Sequence, residues 1–182
     1  GSSILFLVIV VILLNRYQIK KEANRRLDEL ARTDPLTGLL NRRAILDVLQ
    51  QEISRSCRIR KPFAVIMADI DDFKLFNDEF GHDCGDSILQ SLSGLMQQTL
   101  RTTDSVARWG GEEFLIVLPE TDRDGALRTA EKIRSRVHET NFLPDSPRKV
   151  ISMTLGVSVF DENSDLDLCL KQADVADRKS VV

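Results

Sequence analysis

Val106-Ala107-Arg108-Trp109-Gly110-Gly111-Glu112-Glu113-Phe114-Leu115-Ile116-Val117-Leu118 is the stretch that decides the architecture. Two β-rich runs flank a Gly-Gly pair. Two glycines in that position satisfy the positive φ of a two-residue hairpin turn. Pro119 ends the second run, so the reading is a hairpin of two consecutive antiparallel strands.

Reading upstream, Phe63 to Ala68 (FAVIMA) is short, apolar and β-branched, a buried strand that stops at Asp69. Before it, Asn41 caps a helix of about 15 residues with Ile45, Val48, Leu49 and Ile53 on one face. Lys61-Pro62 ends that region. After Asp69 a polar helical stretch carries Phe73, Phe76 and Phe80 on one side. Gly81 and Gly85 then bracket a loop containing His82, and Asp86 opens an amphipathic helix with Ile88, Leu89, Leu92, Leu95 and Met96 inward. Downstream of the hairpin, Asp124 to Glu139 reads as a helix with Ala126, Ala130, Ile133 and Val137 inward. Lys149 to Phe160 is a β-rich run interrupted by Gly156, and Leu166 to Asp177 is a short last helix. Helices and strands alternate, yet one pair is a hairpin. The expected class is therefore α/β (α+β), a mixed central sheet covered by helices rather than a purely parallel doubly wound fold.

The whole chain has 182 residues, 42% hydrophobic and 29% charged. That suits one folded domain with a modest appendage and excludes wholesale disorder. The formal net charge of -3 supplies no global basic field, which argues against general nucleic-acid binding. Cys57, Cys84 and Cys169 lie far apart, and His82 and His138 are the only histidines. No CxxC or zinc spacing exists, so the thiols read as free and the compartment as reducing.

The N-terminus departs from this average. Ile4 to Leu14 (ILFLVIVVILL) is apolar without a break, although a full membrane span needs about 20 residues. Residues 1–15 read as the cut end of a transmembrane helix; a buried core helix is the alternative. No basic leader and no small-residue cleavage site support a secretory signal. Arg16, Lys20, Lys21, Arg25, Arg26 and Arg32 outnumber Glu22, Asp28 and Glu29 beside the run, which marks its cytoplasmic side, and Tyr17 suits the headgroup layer. The expected location is the inner membrane, with the remaining domain (34–182) in the cytoplasm. Residues 16–33 form a linker in which Ala23, Leu27 and Leu30 follow one helical stripe. A solvated linker helix and a dimerising stalk both fit that stripe.

Two acidic clusters carry the chemistry, each at a strand end. Asp69 opens the run Asp69-Ile70-Asp71-Asp72-Phe73-Lys74, and Glu112 and Glu113 follow the glycine turn. If the hairpin packs beside the first strand, Asp69 and Glu112 converge at one edge of the sheet. Carboxylates without His or Cys suit a hard cation such as Mg²⁺, with Mn²⁺ as an alternative. Gly110 and Gly111 let a bulky ligand lie against the backbone, and Lys74 can meet a phosphate as a point charge. Together these parts suit a metal-dependent site for phosphoryl or nucleotidyl transfer. The bland alternative is a solvated acidic turn on a structural Gly-Gly hairpin.

From Asp34 to Ala176 the chain resembles the GGDEF family of diguanylate cyclases. The matching motifs are Asp34-Pro-Leu-Thr-Gly-Leu-Leu-Asn-Arg42, Asp69-Ile-Asp-Asp-Phe-Lys74, Asn77-Asp-Glu-Phe-Gly-His82, Gly85-Asp86 and Gly110-Gly-Glu-Glu-Phe114, in that order. The resemblance implies a palm-like nucleotide cyclase fold and the joining of two GTP molecules into cyclic di-GMP with release of pyrophosphate. It implies that Asp69 and Glu112 hold Mg²⁺ with help from the Ile70 carbonyl. Glu112 would also be the base for the attacking 3′-hydroxyl, with Glu113 an adjacent candidate for metal or base work. Asn77 and Asp86 would recognise guanine, and backbone amides near Asp72 and Phe73, with Lys74, would contact phosphates. Each domain would carry one GTP, so catalysis would need a homodimer. Arg101-Thr-Thr-Asp104, with five residues between it and Gly110, would be the inhibitory site for the product; an ordinary helix-end salt bridge is the other reading of that RxxD.

The C-terminal pattern differs. The family ends as A-D-x-A-L-Y-x-A-K-x-x-G-R-N, whereas here Ala173-Asp174-Val175-Ala176 runs directly into Asp177-Arg178-Lys179-Ser180-Val181-Val182. With Arg178 at the family's Arg, about seven residues are missing and helical reach shortens by about 10 Å. The family's phosphate-contacting Lys has no clear counterpart. Two functions are therefore expected as alternatives: an active, membrane-anchored cyclase, or an impaired GGDEF module that binds GTP or cyclic di-GMP as an effector. A cyclase for another nucleotide fits less well, because Asn77 and Asp86 match guanine selection.

Overall fold

The computed structural model describes residues 14–19, 21, 32–143, 150–160, 170, 171 and 173. The chain divides into two compact units, Gly1–Arg32 and Thr33–Val182. In the first, residues 14–19 are helical and Leu14, Tyr17 and Ile19 are exposed. The rest of the apolar run and most of the linker stripe lie outside the described residues. Among the described residues, no helix is long and apolar enough to cross a membrane.

The second unit is built on a five-stranded mixed sheet. Its strands are β1 (Leu40–Asn41), β2 (Phe63–Ile70), β3 (Ser105–Arg108), β4 (Glu113–Leu118) and β5 (Met153–Phe160), in the order β1-β3-β4-β2-β5. β1 runs parallel to β3; every other pairing is antiparallel. The helices are α1 (Arg42–Ile59), α2 (Phe73–Phe80), α3 (His82–Thr99) and α4 (Arg123–Glu139). This is the expected mixed sheet covered by helices.

Period-two alternation divides the core into two layers. Phe63, Val65 and Met67 of β2 pack with Ile45 and Leu49 of α1. Ala64, Ile66, Ala68 and Ile70 pack with Ile88, Leu89 and Leu92 of α3 and Ile133 of α4. Burial on both faces explains why β2 reads as a continuous apolar run although its neighbours are antiparallel. Asn41 caps α1 by accepting from the Ala44 amide at 2.9 Å, and Asp122 caps α4 through the Gly125 amide at 2.8 Å. Such caps contribute about 1 kcal/mol each. On α2, Phe76 stacks on Phe73 at 6.2 Å and on Phe80 at 4.9 Å between ring centroids.

Four local expectations need correction. β2 continues through Asp69 to Ile70, because β5 and β4 extend ladder partners to it on both sides. Gly81 (φ +86) is the break before α3, and His82 is the first helical residue; Gly85 lies inside the helix rather than closing a loop. Gly156 does not interrupt β5 but pairs with Met67. The hairpin loop holds three residues, Gly110, Gly111 and Glu112, since the Trp109 and Gly110 amides both donate to the Glu113 carbonyl (2.8 and 3.3 Å). Neither glycine has positive φ, so the two-residue turn is not the one formed. Of the expected last helix, residues 170, 171 and 173 are helical; Cys169 and residues 174–182, including Arg178 and Lys179, lie outside the described residues.

Candidate active site

Asp69 lies directly opposite Glu113 across the β2–β4 ladder, and opposite Thr154 on the β5 side. Alternation puts Asp69 on the same side of β2 as Met67, and Glu113 on the same side of β4 as Leu115. Both carboxylates therefore leave the α1 face at one end of the sheet, with Cα atoms about 4.5–5.5 Å apart for such a pair. Sequence reading anticipated that Asp69 would meet Glu112. The structure pairs it with Glu113 and puts Glu112 one residue further on, half-buried in the loop. Among the described residues, no three acidic, His or Cys side chains already form a cage. Two facing carboxylates beside a main-chain carbonyl nevertheless fit Mg²⁺. That ion takes one or two protein carboxylates and fills its shell with water and phosphate oxygens.

The turn after β2 supplies the next groups. Asp72 is left-handed (φ 54) and precedes α2, with the buried Phe73 and the exposed Lys74 in the first helical turn. Ile70 is buried, and only its backbone can serve a ligand. Asp71 turns the other way. Its carboxylate accepts from the Ser152 hydroxyl and from Thr154 Oγ1 at 2.7 Å, and its amide donates to the Ser152 carbonyl at 3.1 Å. Asp71 thus staples the turn to the start of β5.

Asn77, on the next turn of α2, packs against Gly85 of α3. Its Oδ1 is buried and has no hydrogen-bond partner among the described residues. An unpaired buried acceptor costs about 1–3 kcal/mol, and Asn77 Oδ1 is such an acceptor. Asp86 follows Gly85 and is exposed. The structure therefore sets Asn77 against Gly85, the residue before Asp86, and pairs Asp69 with Glu113.

The diguanylate cyclase GGDEF-domain family model matches residues 31–180. The chain belongs to this family. It is 39% identical over 144 residues to "Diguanylate cyclase DosC" of Escherichia coli, covering 79% of this chain and 31% of that protein. The "active GGEEF domain of a diguanylate cyclase from Vibrio cholerae" superposes with a TM-score of 0.73 at 37% identity, covering 78% of this chain and 90% of that one. The GGDEF domain of DgcB from Caulobacter crescentus, solved in complex with c-di-GMP, superposes with a TM-score of 0.76 at 28% identity, covering 81% and 88%. The chain spans about a third of the length of its curated relative.

In this GGDEF domain Arg101 and Asp104 flank the turn between α3 and β3. Asp104 Oδ2 accepts from the Arg101 amide at 2.9 Å, and the Asp104 amide donates back to the Arg101 carbonyl at 3.1 Å. The contact is main chain to side chain; among the described residues no ion pair joins the two side chains. The Arg101 side chain is exposed, beside a cavity of about 280 Å³ lined by Leu40, Gln97, Thr102 and Asp104. A helix-end salt bridge is thus not what this RxxD forms.

Sequence reasoning missed Arg108. Its Nε and Nη2 donate to the Gly111 carbonyl at 3.0 and 2.8 Å, and its Nη1 lies 3.4 Å from both carboxylate oxygens of Asp34. Asp34 also accepts from the Thr37 amide (2.9 Å) and hydroxyl (2.7 Å). Partial burial pushes the Asp34 carboxyl up, but the Thr37 donors and the Arg108 guanidinium outweigh it and hold it below the usual carboxylate value. The one available signal was an Arg on the hairpin beside the glycines, with an acidic partner 74 residues away.

Proposed function

We propose that this domain condenses two GTP molecules into cyclic di-GMP, as the signalling output of a membrane protein whose GGDEF unit faces the cytoplasm. The single observation that carries the reading is the β2–β4 register, with Asp69 opposite Glu113 and Glu112 in the adjoining loop. Bound Mg²⁺, or Mn²⁺, would neutralise the triphosphate and the charge that develops as it reacts. Asp69, Glu112 and the Ile70 carbonyl would hold it, with Glu113 beside them. Asn77 and Asp86 would face the guanine edge, where its N1 and N2 hydrogens need acceptors. Backbone amides of the turn at Asp72 and Phe73, with Lys74, would orient the phosphates. The 3′-hydroxyl of one GTP then attacks the α-phosphorus of the other. Glu112 takes the hydroxyl proton, the new P–O bond forms, and pyrophosphate departs. The reciprocal step closes the ring, so two domains must face each other as a homodimer.

A second reading is favoured by one specific feature, the departure of residues 177–182 from the family's ending. In that reading the module would bind GTP or cyclic di-GMP as an effector and turn over slowly. The test is incubation of the dimerised protein with GTP and Mg²⁺, followed by chromatography of the products. Cyclic di-GMP and pyrophosphate are expected. Tight GTP or cyclic di-GMP binding with no product would select the effector reading, and neither binding nor product would sink both.

A further inference from the structure

We infer that Arg108 is a positioning residue, holding the carbonyl of Gly111 and thereby the orientation of Glu112, and that Asp34 in turn holds Arg108. The inference rests on the metal and base roles proposed for Glu112. The loop 110–112 is closed at its base by the Trp109 and Gly110 amides on the Glu113 carbonyl. At its tip packing gives no hold: nothing lies within 4 Å of where a Cβ on Gly111 would sit. There the Arg108 fork supplies the grip, two N–H donors on one carbonyl oxygen at 3.0 and 2.8 Å. A planar guanidinium can do this with one edge and still offer Nη1 elsewhere. Nη1 reaches Asp34, and both side chains are mostly covered, at 20% and 18% exposure.

The anchor is itself rigid. Asp34 accepts from the Thr37 amide and hydroxyl, its own amide donates to the Leu39 carbonyl at 2.8 Å, and Gly38 (φ +70) closes the turn. Two further contacts bind the same segment to the hairpin. Asn41 pairs with Arg108 in the parallel β1–β3 ladder, and Arg42 lies 4.3 Å from the Trp109 ring centroid. Residues 34–42 therefore hold the strand on one side of the loop, and the Arg108 fork carries that hold to the residue before Glu112. Lysine, a point donor on a flexible stem, cannot bridge both groups in one plane.

Arg108→Lys, Asp34→Asn, Glu112→Gln and the double variant Arg108→Lys/Asp34→Asn would be compared with the parent as dimers. The readouts are kcat, KM for GTP, the Mg²⁺ concentration giving half-maximal rate, and Tm. Arg108→Lys should lower kcat by about 10–100-fold, the range for residues that orient a metal ligand. Half-saturation by Mg²⁺ should rise, while KM for GTP and Tm stay near the parent. Asp34→Asn should move the same two quantities less, and the double variant should fall no further than Arg108→Lys, because the two act in series. A higher KM for GTP with unchanged Mg²⁺ dependence would overturn the inference, since Arg108 would then touch substrate. Additive losses, or an Arg108→Lys loss that tracks a fall in Tm, would also overturn it. If Glu112→Gln keeps the parental rate, the proposed role of Glu112 fails; if it abolishes the rate while Arg108→Lys matches the parent, the Arg108 inference alone fails.

Discussion

Asn77 occupies the space that a side chain at position 85 would need: a Cβ built on Gly85 would lie 1.9 Å from Asn77 Oδ1 and 3.1 Å from Phe73 Cζ. Glycine inside a helix costs about 0.5–1 kcal/mol relative to alanine, and here it makes room for the amide. Gly85→Ala would drive Asn77 out of place while improving the helix. We expect thermal stability close to the parent and a GTP dissociation constant raised about tenfold, or about 1.4 kcal/mol. Calorimetric titration of GTP checks it; an unchanged constant would remove Asn77 from the guanine site.

The two hairpin glycines should separate by role. A Cβ on Gly110 would meet Glu113 Oε2 at 2.7 Å, whereas one on Gly111 meets nothing, and neither has positive φ. Gly111→Ala should therefore fold like the parent. If a nucleotide lies against that backbone, the same methyl should weaken GTP binding and leave Tm alone. Gly110→Ala should shift the Glu113 carboxylate, which is the far end of a flexible chain, at small cost to stability. Unimpaired GTP binding by Gly111→Ala would show that the loop is not a nucleotide-contacting surface.

Removal of the carboxylates is the sharper test of the metal site. Asp69→Asn and Glu112→Gln should each lower cyclic di-GMP formation by about 100-fold or more, because each deletes a charge aimed at Mg²⁺ and the reacting phosphate. Far-ultraviolet circular dichroism should be unchanged. A near-parental rate from either variant in Mg²⁺ would exclude that residue as a ligand.

How far the sequence carries this reasoning depends on the range of each interaction. α1, β2 and the hairpin are written locally, in the Asn41 cap, the FAVIMA run and the Gly-Gly pair. β1 was not legible, because two residues carry no periodicity and their partner strand lies beyond α1, α2 and α3. Gly85 reads as a helix breaker until Asn77 is seen against it. Asp71 resembles its acidic neighbours in the sequence, and only hydroxyl partners 81 and 83 residues away separate it from them. The loop was misjudged by one residue for a related reason: two glycines permit positive φ but do not require it, and the β3–β4 register decides.

Arg101 offers a separable effect. Its guanidinium is exposed beside a cavity and is not spent on Asp104, whose carboxylate caps the Arg101 amide instead. Arg101→Ala should weaken cyclic di-GMP binding by about 1–3 kcal/mol, the scale of one charge-assisted contact. Basal GTP conversion should persist, as Arg101 lies outside the site at β2 and β4. Identical inhibition curves for variant and parent would make the RxxD spacing coincidental.

Asp34 gives the pH dependence. Burial raises its carboxyl, but the Thr37 hydroxyl and amide and the Arg108 guanidinium favour the ionised form more, so its folded value lies below the ordinary one. A depressed folded value means that the unfolded chain binds the proton more readily. The stabilisation is then complete above the unfolded carboxylate value of about 3.9, and is lost as pH falls through the lower folded value. Asp34→Asn keeps an oxygen for the Thr37 amide but removes the charge facing Arg108. Urea unfolding at neutral pH should show the variant less stable by about 0.5–1 kcal/mol, the scale of a partly exposed pair. Towards pH 3 the two stabilities should converge, because the parent loses its charge as well. A gap that stayed constant between pH 7 and pH 3 would show that the shape of this side chain, not its charge, holds the turn to Arg108.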